Sequence, residues 1–206
     1  MMVRVKICGI TSSEDAFSAA SMGADALGFV FAPSPRQVSL DKAFEISRSL
    51  PPFVQTVGVF VDADIEEVIF FRNHLRLDLV QLSGSETDAY IRALGSRVIK
   101  TVHVKNGFKP EPNIHAAATI LLDTAADGLK GGTGKAFDWD LAAEVAVKRP
   151  IILAGGLTPE NVAIAVKKVQ PYAVDVSNGV EIEPGRKDHD KIRNFIQRAK
   201  TAGFSA

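Results

Sequence analysis

Val3-Arg4-Val5-Lys6-Ile7-Cys8-Gly9-Ile10-Thr11 is the stretch from which the rest of the chain is best read. Strand side chains alternate, so Val3, Val5 and Ile7 share one face, and Arg4, Lys6 and Cys8 share the other. Gly9 ends the run, and Thr11-Ser12-Ser13-Glu14 signals a helix start. Cys8 is then the last residue of a first strand, its sulfur opposite the more hydrophobic face. An open doubly wound sheet is expected to carry a glycine-rich phosphate turn at this point. Here the turn is Cys8-Gly9-Ile10-Thr11, while the glycine-rich turns follow the sixth, seventh and eighth strands.

Those later strands are legible as apolar runs. They lie at residues 26–31, 54–61, 77–82, 98–104, 119–123, 151–154 and 172–176. Helical segments alternate with them, at 14–22, from a Ser39 cap to 50, from 62–64 to 75, at 86–94, at 139–148 and at 188–202. Thr158-Pro159-Glu160-Asn161 reads as a helix start with proline at the first helical position. Between residues 105 and 113 two prolines and a glycine predict a short or irregular helix. Near-continuous apolar strands belong to a parallel sheet covered on both faces. Eight strand–helix units, each roughly two dozen residues long, predict a single (β/α)8 TIM barrel over residues 1–206.

Composition excludes several classes of function. The 24 basic and 24 acidic residues balance, and no basic stripe offers a footprint for nucleic acid. No apolar run reaches the roughly 18 residues of a membrane span. One cysteine forms no internal disulfide, and no apolar signal segment stands at the N-terminus, so a cytoplasmic location is expected. His74, His103, His115 and His189 lack ligand spacing, so no metal site is expected.

A parallel barrel builds its active site at the carboxyl ends of the strands. Those ends and their loops carry Cys8, Arg36, Asp62, Ser83, Asp123, Gly155-Gly156 and Asp175. Gly155-Gly156 and Asn178-Gly179 follow strands seven and eight, where backbone N–H groups and a helix N-terminus can meet a phosphate. Arg36 can clamp a carboxylate with its two-pronged donor geometry, though an arbitrary loop arginine is ordinarily solvated. Asp62 reads as a helix cap. A lone cysteine is ordinarily a small buried hydrophobe. Lys6, two residues deeper on the same face, would favour its thiolate.

Taken in order, these blocks resemble phosphoribosylanthranilate isomerases. The resemblance rests on Lys6-Ile7-Cys8-Gly9-Ile10-Thr11, on Gly28-Phe29-Val30-Phe31 leading to Ser34-Pro35-Arg36, and on Val57-Gly58-Val59-Phe60. It continues through Leu121-Leu122-Asp123-Thr124, Gly131-Gly132-Thr133-Gly134, Phe137-Asp138-Trp139 and Ala154-Gly155-Gly156-Leu157. Residues 175–181 and Pro184-Gly185-Arg186-Lys187-Asp188 complete it. The resemblance implies an isomerase of tryptophan biosynthesis that performs an Amadori rearrangement on a small phosphorylated substrate, with no metal and no organic cofactor. It implies Asp123 as general acid and Cys8 as general base, with Arg36 on the anthranilate carboxylate. It places Gly131, Gly132, Gly155, Gly156, Asn178 and Gly179 around sugar and phosphate, and gives Asp175 a polar contact with substrate. The acid must still hold its proton near neutral pH, and the thiol must ionise near it. One block departs: Gln81-Leu82-Ser83-Gly84 has serine where the family usually has histidine, and Ser83 receives no role.

Two alternatives stand beside this reading. A phosphoribosyl isomerase of histidine biosynthesis would be expected to pair two aspartates, and the cysteine ending strand one disfavours it. A non-catalytic phosphosugar-binding barrel would keep the fold without the chemistry. The sequence is compatible with a monomer and with a homodimer.

Overall fold

The computed structural model describes residues 2–104, 115–123 and 139–203. Eight parallel strands close into a ring in chain order: β1 Arg4–Cys8, β2 Ala26–Val30, β3 Gln55–Phe60, β4 Leu79–Leu82, β5 Val98–His103, β6 Thr119–Asp123, β7 Ile151–Ala154 and β8 Ala173–Val176. The helices around them are α1 Ser13–Ser21, α2 Leu40–Arg48, α3 Ile65–Leu75, α4 Asp88–Leu94, α5 Trp139–Ala146, α6 Val162–Val169 and α7 His189–Ala202. A hairpin of β9 Glu181–Glu183 and β10 Arg186–Lys187 intervenes between β8 and α7. The expected TIM barrel is the observed architecture. No helix among the described residues is long and apolar enough to cross a membrane.

The alternation expected of β1 sets the layers. Val5, Ile7, Leu27, Phe29 and Phe60 join Ala16, Ile46, Val68, Ile91, Val166 and Phe195 of the helices in one large apolar cluster. A smaller cluster of Val57, Ile99, Leu121, Ile152, Ala154 and Ala173 fills the inside of the ring. Strand register continues that inner face upward. Lys6 pairs with Ala26 and with Asp175, and Cys8 with Gly28. The polar residues of the strand ends therefore stand directly above the inner apolar plug, and side-chain packing, not an open pore, supports them.

Local signals hold at several helix starts. Ser12 and Ser39 cap α1 and α2 by accepting from the amides of Asp15 and Lys42. Asp188 accepts from both Asp190 and Lys191 at the start of α7. Two starts differ from expectation. Asp62 is not a cap: it is left-handed (φ 49°), and its Oδ1 accepts from the amide of Ser85, tying the loop after β3 to the loop after β4. At 158–161 Thr158 caps as expected, its Oγ1 accepting from the Glu160 amide and its carbonyl from the Val162 amide, but Asn161 Oδ1 accepts from the Thr158 amide in a turn and the regular helix α6 begins only at Val162. The segment 105–113 lies outside the described residues.

Candidate active site

Lys6 and Asp175 are both buried, and Lys6 Nζ donates to Asp175 Oδ1 at 2.9 Å. The pair lies inside the ring, on adjacent strands β1 and β8. Burial alone would lower the Lys6 ammonium, but Asp175 and Cys8 hold it above its ordinary value. Cys8, one layer higher, is 8 % exposed. Burial pushes its thiol up; Lys6 opposes this and Asp175 reinforces it, so the net direction is upward. Lys6 thus favours the thiolate, as expected, without turning the net direction downward. The ammonium acts in the expected sense, but it is spent chiefly on Asp175, and removal from water outweighs it. Gly28 stands opposite Cys8 in the ladder, and a Cβ there would come within 2.8 Å of the sulfur. Glycine leaves the thiol its space.

Arg36 lies in the loop after β2 and is claimed from within the protein. Its Nε and Nη2 donate to Glu181 Oε1 and Oε2 at 2.8 and 2.6 Å. The two-pronged carboxylate clamp anticipated for a ligand is thus made to Glu181, a residue that the sequence did not single out. A guanidinium carries five N–H groups, so three remain for a ligand among the described residues. Glu181 is buried; against that burial, Arg36 and Lys187 hold its carboxyl below the usual range. Lys187 is fully buried, and its ammonium donates to Glu181 Oε1, to the Cys8 carbonyl and to the Ser177 carbonyl. Lys187, named only within the block 184–188, received no role from the sequence, since a lysine among charged residues reads as a solvated face.

Asp123 ends β6, paired in register with His103 on one side and Ala154 on the other. Only β7 and β8 separate its strand from that of Cys8 on the shorter arc of the ring. Its side chain is 28 % exposed, open to the mouth, and its Oδ2 lies 3.6 Å from His103 Nδ1. The His103 ring also reaches the Ser83 carbonyl through Nε2 at 3.4 Å. Ser83 Oγ shares a hydrogen bond with Thr101 Oγ1 at 2.9 Å, and Gln81 Nε2 donates to Ser83 Oγ at 3.2 Å. Serine therefore belongs to a polar layer on β4 and β5, next to an imidazole supplied by β5. Beneath the loop after β4, buried Lys100 donates to Glu86 Oε2 and to the Gly84 carbonyl.

The glycine loops after β7 and β8 lie side by side. Gly155 and Gly156 are both left-handed (φ 86° and 62°), and a Cβ at Gly156 would meet nothing within 4 Å, so its backbone faces open space. Gly179 packs against the Leu157 carbonyl with no room for a side chain. Asn178 begins a 3-10 turn in the same loop. Gly131 and Gly132 lie outside the described residues. No group of three or more His, Cys, Asp or Glu among the described residues is placed to hold a metal ion. A cleft of about 930 Å³ at the opposite, amino end of the barrel is lined by Met2, Lys148, Arg149 and Tyr172 and contains no acid–base pair.

Residues 5–198 match the family described as N-(5'phosphoribosyl)anthranilate (PRA) isomerase. N-(5'-phosphoribosyl)anthranilate isomerase of Geobacter metallireducens is 53 % identical over 201 residues, covering 97 % of this chain and 100 % of its own. The crystal structure of phosphoribosyl anthranilate isomerase from Thermotoga maritima superposes with a TM-score of 0.86 at 46 % identity, covering 97 % of this chain and 100 % of that one. A second solved isomerase, 44 % identical with a TM-score of 0.83 and the same coverage, is in complex with reduced 1-(o-carboxyphenylamino)-1-deoxyribulose 5-phosphate. With a match across nearly its whole length and the same closed barrel, this chain belongs to the N-(5'-phosphoribosyl)anthranilate isomerase family.

Proposed function

We propose that this chain isomerises N-(5-phosphoribosyl)anthranilate to 1-(2-carboxyphenylamino)-1-deoxyribulose 5-phosphate, with Asp123 as the acid and Cys8 as the base. The observation that carries the assignment is the placement of both groups at the carboxyl mouth, on strands separated by β7 and β8. Asp123 gives a proton to the ribose ring oxygen as the anilino nitrogen lone pair moves in and the C1–O bond breaks. The product of that step is an open-chain iminium. Cys8 then takes the proton from C2, and the electrons of the C–H bond neutralise the iminium nitrogen as an enolamine. Gain of a proton at C1 and loss of one from the C2 hydroxyl leave the ketone. No atom is gained or lost overall.

Cys8 meets its task in spite of its raised thiol. The iminium is a positive charge formed next to C2, so the thiolate is favoured most when it is needed. Arg36, its orientation fixed by Glu181, presents remaining N–H groups to the anthranilate carboxylate. Gly155, Gly156, Asn178 and Gly179 offer backbone to the phosphate, and Asp175 stands below to meet a sugar hydroxyl. The partner is one small phosphorylated molecule.

The test is the loss of anthranilate fluorescence on turnover of the substrate. Cys8→Ala and Asp123→Asn are each expected to lower kcat by about 10²–10⁴-fold, the usual contribution of a positioned acid or base, with binding retained. A protein that binds the substrate and leaves it unconsumed would mean a phosphosugar-binding barrel instead.

A further inference from the structure

Where β1 and β8 part company, their ladder is finished by a side chain. The last paired residues of that ladder are Ile7 and Val176, so the next carbonyls, of Cys8 and Ser177, lie beyond it, although Cys8 still pairs with Gly28 of β2. Lys187 Nζ donates to both, at 2.6 and 3.3 Å, and to Glu181 Oε1 at 2.8 Å. Three donors on one ammonium thus meet three acceptors, and the side chain is 0 % exposed. On the other flank of Cys8, the amides of Gly9 and Ile10 both donate to the Gly28 carbonyl at 3.0 Å. The peptide that follows Cys8 is therefore held from both sides. Fixing that peptide fixes the direction of the Cα–Cβ bond, and with it the place of the sulfur.

We propose that Lys187 is the positioning residue for Cys8: its ammonium pins the backbone carbonyl that aims the thiol. The proposal rests on the assignment of Cys8 as the base. Glu181 bonds Lys187 and Arg36 together, so one carboxylate joins the thiol's support to the residue assigned to the substrate carboxylate. The β9–β10 hairpin is the element that carries this link. Lys187 contacts no substrate atom in this scheme, so its removal should spare binding and slow the proton transfer. Charge proximity agrees, since Lys187 is among the groups that lower the Cys8 thiol.

Two variants and one measurement on the unaltered protein test this. Lys187→Met removes charge and donors; Lys187→Gln keeps a donor and removes the charge. In either folded variant kcat should fall at least about tenfold, as expected when a base is misplaced by a fraction of an ångström, with KM within about threefold. Cys8 is the only cysteine, so the pH dependence of iodoacetamide alkylation reads its thiol alone, and that curve should move to higher pH. A folded variant with unchanged kcat and an unchanged alkylation curve overturns the proposal. Should neither variant fold, the ¹⁵N-edited spectrum of the unaltered protein decides. A lysine ammonium protected from solvent exchange and coupled through its hydrogen bond to the Cys8 carbonyl carbon supports the link; no such coupling overturns it. The alkylation curve needs no turnover. Absence of isomerase activity in the unaltered protein would therefore sink the assigned reaction while leaving the positioning of the thiol to be judged by itself.

Discussion

At Cys8 the balance between burial and charge makes a pH dependence. The thiol's ordinary value is 9.0, and burial raises it in the folded protein. The thiolate share therefore grows as pH rises toward that raised value, while the acid Asp123 must keep its proton. Iodoacetamide alkylation of Cys8 in the free protein, which reads the thiolate alone, is expected to be still climbing at pH 9. A plateau reached below pH 8 would show that the free thiol is not raised. Lys6 carries a second prediction. In Lys6→Met the thiol should ionise at still higher pH, since the largest lowering influence is gone. The same change leaves Asp175 buried without its ammonium, which should cost about 3–5 kcal/mol of stability. Thiol titration and chemical denaturation of one variant read both effects.

At the scale of elements, the helix caps are where the sequence spoke most directly. Ser39 accepts from the Lys42 amide, so Ser39→Ala should cost about 1 kcal/mol in denaturant unfolding and leave kcat unchanged. At Thr158-Pro159 the same signal marks the cap but not the helix bound. There Thr158 Oγ1 accepts from the Glu160 amide and Asn161 Oδ1 from the Thr158 amide, and residues 158–161 form a turn before α6 begins at Val162. Asp62 departs further. A carboxylate before a helix resembles a cap, yet this one bridges two loops, and only tertiary contact with Ser85 reveals it. The hairpin β9–β10 left no pattern at all, because a two-residue strand gives no alternation to read.

For the molecule as a whole, the barrel was legible because the strands repeat one message: an apolar run of the right length, followed in most cases by helix-starting residues. The strand ends then located Cys8, Arg36, Asp123 and Asp175 without coordinates. What linear order hides is who partners whom. Lys6 with Asp175 spans 169 positions, and Arg36 with Glu181 spans 145. The net direction at the thiol depends on burial that no single stretch encodes. Glu181 adds a prediction at this scale. Its folded value lies below the ordinary 4.5 despite burial. A depressed carboxyl stabilises the fold fully above its unfolded value, and that contribution is lost as pH falls through the folded one. Acid titration of unfolding should therefore show stability declining below about pH 4.5, less steeply in Glu181→Gln, after allowance for that variant's lower stability near neutrality.

Closure of the ring joins Arg4 to Ala173, so the first strand waits for the last before the circle is complete. Cys8 sits on that suture, stitched by a lysine translated later still. A polypeptide emerging from the ribosome would hold its thiol in place only after nearly everything else has been made. Turnover thus becomes a late reporter of folding, and loosening at this suture should silence the protein while most of its barrel still stands.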